Sequence, residues 1–173
     1  MPKIIENLEQ KLIDETRRQI LQQGYGATTV RSVAAACGVG VGTVYNYFPS
    51  KDAMVAAYMM EGWRRCRAAI QAEAERAANA EAVARCIYDQ LQNFAAEHAA
   101  VLQDPDAASA FTAISHRYHG LLRKELSRPL EQFCENQLTA RVVAESLLTW
   151  TMIGIPFDDL YGILGKLFNT KGE

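Results

Sequence analysis

At 173 residues, with 49% hydrophobic and 22% charged content, the chain suits one compact domain or a small head fused to a larger body, and disorder is excluded. Its longest strongly apolar run, Leu147 to Phe157, contains Gly154 and Pro156 and falls short of the roughly 20 apolar residues that a bilayer crossing needs. The net charge of −2 is unevenly spread: residues 1–51 hold six basic against four acidic side chains, a local +2 that permits contact with DNA but is no polybasic arm.

The opening MPKIIENLEQ puts charges where a signal peptide needs an apolar stretch, so the expected compartment is the cytoplasm, with no membrane partner. Helix formers dominate and strand-like alternation is absent, which predicts an all-α protein. A first helix is expected over Ile5 to Gln23, with Leu8, Leu12, Thr16, Ile20 and Leu21 on one side, ended by Gly24 and Gly26. Thr28 or Thr29 then caps a short second helix that closes at Cys37. Gly38 makes a turn, and a third short helix follows over Val41 to Phe48. After Pro49, Ser50 can cap a long fourth helix reaching Arg76. Further helices are expected over Ala80–Ala100, Asp106–His119, Leu121–Asn136 (bent at Pro129), Ala140–Ile155 and Phe157–Asn169, with a break at Asp104-Pro105.

Within this series, Val30, Val33, Ala34 and Cys37 recur at helical spacing and give the second helix one buried stripe. Val44 and Phe48 point inward from the third, and Val39 fills the corner between them. Gly42, Thr43, Asn46 and Tyr47 remain outward, with Tyr45 at the edge. A helix this short does not stand alone in water, so its neighbours must hold it. Its outward face is small and hydrogen-bonding, able to enter a major groove about 12 Å wide.

The run GYGATTVRSVAAACGVGVGTVYNYFPSKDAMV closely resembles the DNA-binding head of the tetracycline-repressor (TetR) family, and the likeness extends ungapped over about residues 5–60. Its most specific parts are TTVRSVA, the CGV turn, GTVYNYF and the FPSK exit. The resemblance implies a helix-turn-helix DNA-binding domain over 1–50 and a helical effector-binding and dimerisation domain over 51–173. It also implies site roles. Thr29 caps the second helix and bonds a phosphate, and Arg31 reaches a base or phosphate. Val41, Gly42 and Thr43 face base edges. Tyr45, Asn46 and Tyr47 clamp phosphates, and Lys51 anchors the backbone. Family members often carry a polar or basic residue early in the recognition helix. Here Gly40, Val41 and Gly42 stand there, which leaves fewer direct hydrogen bonds to bases and more weight on DNA shape.

A single recognition helix reads only a few base pairs, so the expected partners are a second copy of the chain and a palindromic duplex operator. The nearly all-apolar Ala140–Ile155 helix has Val143, Leu147, Trp150 and Thr151 on one side. Phe157, Leu160, Tyr161, Leu164 and Phe168 stripe the last helix. By resemblance these helices form a dimer interface; an intramolecular core is the other reading. The family's body also holds an effector pocket, for which Met59, Trp63, Tyr88, Leu91, Phe94, Phe111, Ile114 and Tyr118 are candidate linings, with plain core packing the alternative for each. His98, His116, Arg117 and His119 could supply polar groups, and no small-molecule effector is named by these residues.

The cysteines at 37, 66, 86 and 134 lie too far apart in sequence for a zinc ribbon or disulfide scaffold and read as small buried hydrophobes. His116 and His119 at i, i+3 fall short of a zinc site, and no nucleophile, base and orienting group form a set, so no metal, cofactor or catalytic residue is expected. The function implied is a dimeric transcription repressor released from its operator by a small molecule. Two alternatives stand beside it: an activator, since the sign of regulation depends on operator placement, and a helical protein-interaction module whose head merely resembles a DNA reader.

Overall fold

The computed structural model describes residues 7–107 and 120–168. The described residues are helical, without a strand; one isolated antiparallel bridge joins Cys134 to Phe168. They form nine helices in chain order: α1 (Leu8–Ala27), α2 (Val30–Ala36), α3 (Val41–Tyr45), α4 (Lys51–Arg76), α5 (Ala80–Glu97), α6 (Ala99–Leu102), α7 (120–127), α8 (Gln137–Met152) and α9 (Phe157–Leu164). None is long and apolar enough to cross a membrane. The chain packs as two units. Of the described residues, 7–62 with 98–107 form the first, here called the head, and 63–97 with 120–168 form the second, the body.

In the head, Leu8, Leu12, Thr16 and Ile20 are buried as the helical period requires, but Leu21 is exposed and Ile13, Gln19 and Tyr25 are buried in its place. One hundred degrees per residue carries Leu21 past the edge of the stripe that Leu12 and Ile13 open. The buried Thr16 hydroxyl is satisfied by donating to the Leu12 carbonyl at 2.7 Å. Gly24 breaks α1 at φ 81°, ψ 170°, and the chain makes a further helical turn to Ala27. Val33 and Ala34 of α2 and Val44 and Phe48 of the α3 segment join Leu12, Ile20, Met54, Val55 and Tyr58 in one core, with Val30, Cys37, Val39 and Val41 packed on its edge. Each large apolar side chain so buried contributes about 1.5–3 kcal/mol, which is what holds two helices too short to stand alone. Gly38, at φ 68°, turns the chain between them. The α-helical part of α3 stops at Tyr45, three residues before the expected end, and a turn carries Phe48 into the core.

Ser50 Oγ accepts from Ala53 N–H at 3.1 Å at the start of α4. After α5 the chain breaks at His98, makes the short α6 against α1, and turns where Asp104 Oδ1 accepts from the N–H groups of Asp106 and Ala107 at 2.9 and 3.1 Å. The helix expected over Asp106–His119 lies almost wholly outside the described residues.

In the body, α5 packs on α8: Val83, Ala84, Ile87 and Leu91 are buried, as are Ala140, Val143, Ala144 and Leu147. The expected bend at Pro129 is a change of helix type, since α7 passes into a 3-10 segment over Arg128–Phe133 with the proline in its first turn. Asn136 Oδ1 caps α8 by accepting from Thr139 N–H at 3.0 Å, so that helix begins and ends about three residues earlier than expected. Gly154 (φ 85°) and Pro156 separate it from α9, which tightens to 3-10 over Gly165–Leu167. Tyr88, Phe157, Tyr161 and Phe168 form a ladder of ring contacts with centroids 5.3–6.1 Å apart. All four cysteines are free. Cys66 and Cys134 are buried, Cys37 and Cys86 half-buried, and burial pushes the Cys66 thiol up to about 12, where a thiolate nucleophile is absent at neutral pH.

Candidate nucleic-acid interface

The surface built by α2, α3 and the start of α4 begins at Thr29. Its extended backbone (φ −134°, ψ 156°) and the sequence Thr-Val-Arg-Ser close a reciprocal cap: Thr29 Oγ1 accepts from Ser32 N–H, and Ser32 Oγ accepts from Thr29 N–H, both at 3.0 Å. Because Thr29 Oγ1 accepts inside the cap, its own proton is available to one acceptor, Ser32 Oγ at 3.1 Å or an outside oxygen. The cap is tied to α1. Ser32 Oγ lies 2.6 Å from Gln19 Oε1, and the buried Gln19 donates from Nε2 to Glu15 Oε1 at 2.7 Å. Arg18 grips the same carboxylate, whose pKa is held below its ordinary value chiefly by that bond. Gln19 and Ser32 were not singled out in the sequence. The Thr-x-x-Ser spacing was the available signal for Ser32, whereas nothing local marks Gln19.

Arg31 follows in the first turn of α2, exposed, with no side-chain bond to the described residues. On α3, Gly42, Tyr45, Asn46 and Tyr47 are exposed, the two tyrosines at 51% and 46%, and Thr43 is half-buried. Val41 is divided, half-buried against the head core, so less of it faces outward than expected. Gly42 has ordinary helical backbone, and a Cβ built on it meets nothing within 4 Å. Neither conformation nor packing inside the chain calls for glycine there.

Lys51, the expected backbone anchor, is held by its own chain. It is half-buried, donates to the Tyr25 carbonyl, and lies 3.7 Å from the centroid of the Tyr25 ring. Burial lowers its pKa, against the opposing effect of Asp52, Asp104 and Asp106.

Five of the eight candidate pocket residues are described, one in the head and four in the body. Met59 packs on the head core, Leu91 is core of the body, and the Tyr88 hydroxyl donates to the Ile155 carbonyl at 3.1 Å. Trp63 is buried, edge-to-face with Phe94 at 6.1 Å, and its indole donates to Glu125 Oε2 at 2.5 Å. Phe111, Ile114, Tyr118, His116, Arg117 and His119 lie outside the described residues. A narrow cleft in the body, with about 10 Å³ of free volume, is lined by Trp63, Arg67, Ile70, Gln71, Glu125, Leu126 and Pro129. Its polar centre is Glu125, which also takes Arg67 Nη1 at 2.8 Å. Among the described residues no three of His, Cys, Asp or Glu are grouped to hold a metal ion.

Most of the expected interface stripe lies in the chain's own core. Val143, Leu147, Phe157, Leu160, Leu164 and Phe168 are buried within the chain itself, and Tyr161 is half-buried in the ring ladder; only Trp150, 46% exposed, faces out. The outward apolar residues of these two helices are Leu138, Val142, Trp150 and Met152 on α8 and Ile163 on α9, with Ile153 just beyond α8. A helix apolar nearly all round gives no sequence sign of which side its own chain covers.

Residues 12–58 match the family described as bacterial regulatory proteins, tetR family. An uncharacterised helix-turn-helix-type transcriptional regulator of Bacillus subtilis (strain 168), YuxN, is 42% identical over 48 residues; that stretch is 27% of this chain and spans only 16% of the relative's length. Among solved structures, the TetR-family repressor AlkX of Dietzia sp. strain DQ12-45-1b is 17% identical, with 92% of this chain and 98% of that one covered at a TM-score of 0.61. A TetR-family regulator of Pectobacterium atrosepticum is 18% identical, with 91% and 86% covered and a TM-score of 0.67. The capped α2, the tight turn at Gly38 and the polar face of α3 all fall within residues 12–58, the stretch that matches the tetR family of bacterial regulatory proteins.

Proposed function

We propose that the chain regulates transcription by binding duplex DNA through α2 and α3, that it does so as a homodimer on a palindromic operator, and that it represses until a small molecule taken up by the body releases it. The observation that carries the DNA reading is the exposed face itself. Thr29, Arg31, Gly42, Thr43, Tyr45, Asn46 and Tyr47 surround two helix starts whose apolar sides are clamped into the head core. Helix N-termini favour phosphate, hydroxyls and amides position the duplex, and Arg31 is the side chain best suited to bidentate contact with guanine. A reader of chromosomal DNA works in the cytoplasm, and the match of residues 12–58 to bacterial regulatory proteins supports the same placement.

The homodimer draws support from the apolar residues that α8, its end and α9 leave in water, Leu138, Val142, Trp150, Ile153 and Ile163, of which Leu138 and Ile163 are 70% exposed. Two heads then read half-sites about 34–36 Å apart or multiples of that. Effector release is supported by the Trp63–Glu125–Arg67 cleft. Its free volume of about 10 Å³ is far below the about 300–1,000 Å³ of typical ligand sites, so a ligand must favour a more open state to be taken up. Only that difference in affinity between states can weaken operator binding.

The test is a gel shift on duplexes selected from a random pool by the purified protein, across a salt series and with added candidate compounds. Steep loss of affinity with salt is expected. A protein that ignores every duplex at low salt overturns the DNA reading, and binding that no compound alters overturns the effector half alone.

A further inference from the structure

We propose that Tyr25 is a positioning residue for DNA binding: its carbonyl and ring face hold the Lys51 ammonium ready for a phosphate, and Asp52 fixes the ring through its hydroxyl. The inference rests on the DNA-binding reading above. Gly24, at φ 81°, breaks α1 and swings the following residues out of its line, and the buried Tyr25 is set against the first turn of α4. Its hydroxyl donates to Asp52, its carbonyl accepts from Lys51, and its ring lies under the Lys51 ammonium at 3.7 Å. These contacts join residues 26 and 27 positions apart.

An ammonium carries three donors and no acceptor. The carbonyl takes one and the ring's negative face attracts the charge, which leaves N–H groups for an oxygen outside the chain. A lysine side chain that is loose before docking loses its rotamer freedom on docking, whereas one already held has lost it on folding. The charges of Asp52, Asp104 and Asp106 favour the charged form of the same ammonium against the burial that opposes it. Asp104 is itself turned to the backbone, accepting from the 106 and 107 N–H groups. Neither Tyr25 nor Asp52 needs to touch DNA for this to work. Tyr25 sets where the cation stands, and Asp52 keeps the ring from turning away.

The experiment is a double-mutant cycle on the full chain, read by fluorescence anisotropy on a mixed-sequence duplex at several salt concentrations. Lys51→Met should lower affinity about tenfold and reduce the salt slope by about one for each bound protomer. Tyr25→Leu should lower affinity about fivefold when Lys51 is present and hardly at all in the Lys51→Met background, as expected for a lost cation–ring contact. Tyr25→Phe keeps the ring and should restore most of that loss. It also stands in for the leucine variant should circular dichroism find the latter unfolded, with a loss of about twofold that again vanishes without Lys51. A loss of equal size in both backgrounds would mark Tyr25 as merely structural and overturn the proposal, as would no loss in either. Without DNA, acetylation of Lys51 followed by mass spectrometry should be slow in the native chain and faster in Tyr25→Leu; equal rates also overturn it. Absence of duplex binding by the native chain overturns the DNA reading itself, whereas binding with additive losses overturns only the positioning role.

Discussion

In the head, α2 and α3 bury Val33, Ala34, Val44 and Phe48 and leave hydroxyls, an amide, an arginine and two tyrosines outside; in the body, α8 and α9 bury an equally good set and still leave Leu138, Val142, Trp150 and Ile163 in water. The first surface is complete as one chain and suits a polar, charged polymer. The second leaves apolar side chains in water and suits an apolar cover. The difference teaches that exposure must be read by chemistry: tyrosines at 51% and 46% beside Asn46 can hydrogen-bond an outside partner, whereas a leucine at 70% on a helix otherwise seated in a core gains most from an apolar cover, as the proposed dimer would supply.

Paired substitutions on α8 put the largest strain on this contrast. Leu147 is fully buried, so Leu147→Ala should destabilise the protomer by about 2–5 kcal/mol in urea unfolding. Trp150→Ser, one turn further on, should cost the isolated protomer under about 0.5 kcal/mol but shift dimer dissociation about 30-fold or more in sedimentation, as expected of a tryptophan hot spot. If Trp150→Ser leaves the oligomeric state untouched, the outward stripe is not what joins the copies. On the head, Arg31→Ala should weaken duplex binding by about 1–3 kcal/mol and leave the melting temperature unchanged, because Arg31 supports no described contact within the chain. A melting loss with unchanged affinity would reverse the assignment of that face.

How far the sequence revealed all this follows the same division. The head was legible because its signals are local. A threonine before an apolar run, a glycine at a turn and a four-residue hydrophobic period each act within a few residues, and α2 begins and ends where they put it. What escaped was long-range. The Ser32–Gln19 and Lys51–Tyr25 contacts span 13 and 26 residues, and no pattern in either segment announces its partner. In the body the difficulty is degeneracy. Val143, Leu147 and Trp150 fall on one side of a helical wheel, yet two are core and one is surface, because the packing of α5 and not the wheel decides the boundary. Glu125 was invisible for a related reason, since an acidic residue on a helix is ordinarily solvated and only the folded body sets it against Trp63 and Arg67.

A smaller effect tests the cap. Thr29→Ala removes the hydroxyl that accepts from Ser32 N–H and should cost about 1 kcal/mol of stability. Thr29→Ser keeps an oxygen there and should restore most of it. If the hydroxyl also donates to a phosphate, the alanine variant loses DNA affinity beyond what its lowered stability explains at a temperature where both proteins are folded, and the serine variant does not.

The smallest and most discriminating effect is expected at Gly42. A glycine inside a helix costs up to about 1 kcal/mol relative to alanine, and here no positive φ or close neighbour within the chain requires it. Gly42→Ala should therefore raise the urea midpoint slightly. The same methyl group sits on the face proposed to meet base edges, where it would hold α3 off the groove floor, so duplex affinity should fall while stability rises. Opposite signs on the two measurements are what a residue kept for an outside partner must give, since a residue kept for the fold would move both the same way. Gain of stability with undiminished binding would show that α3 does not approach the duplex at Gly42, and would shift the reading of sequence onto Arg31 and the tyrosines.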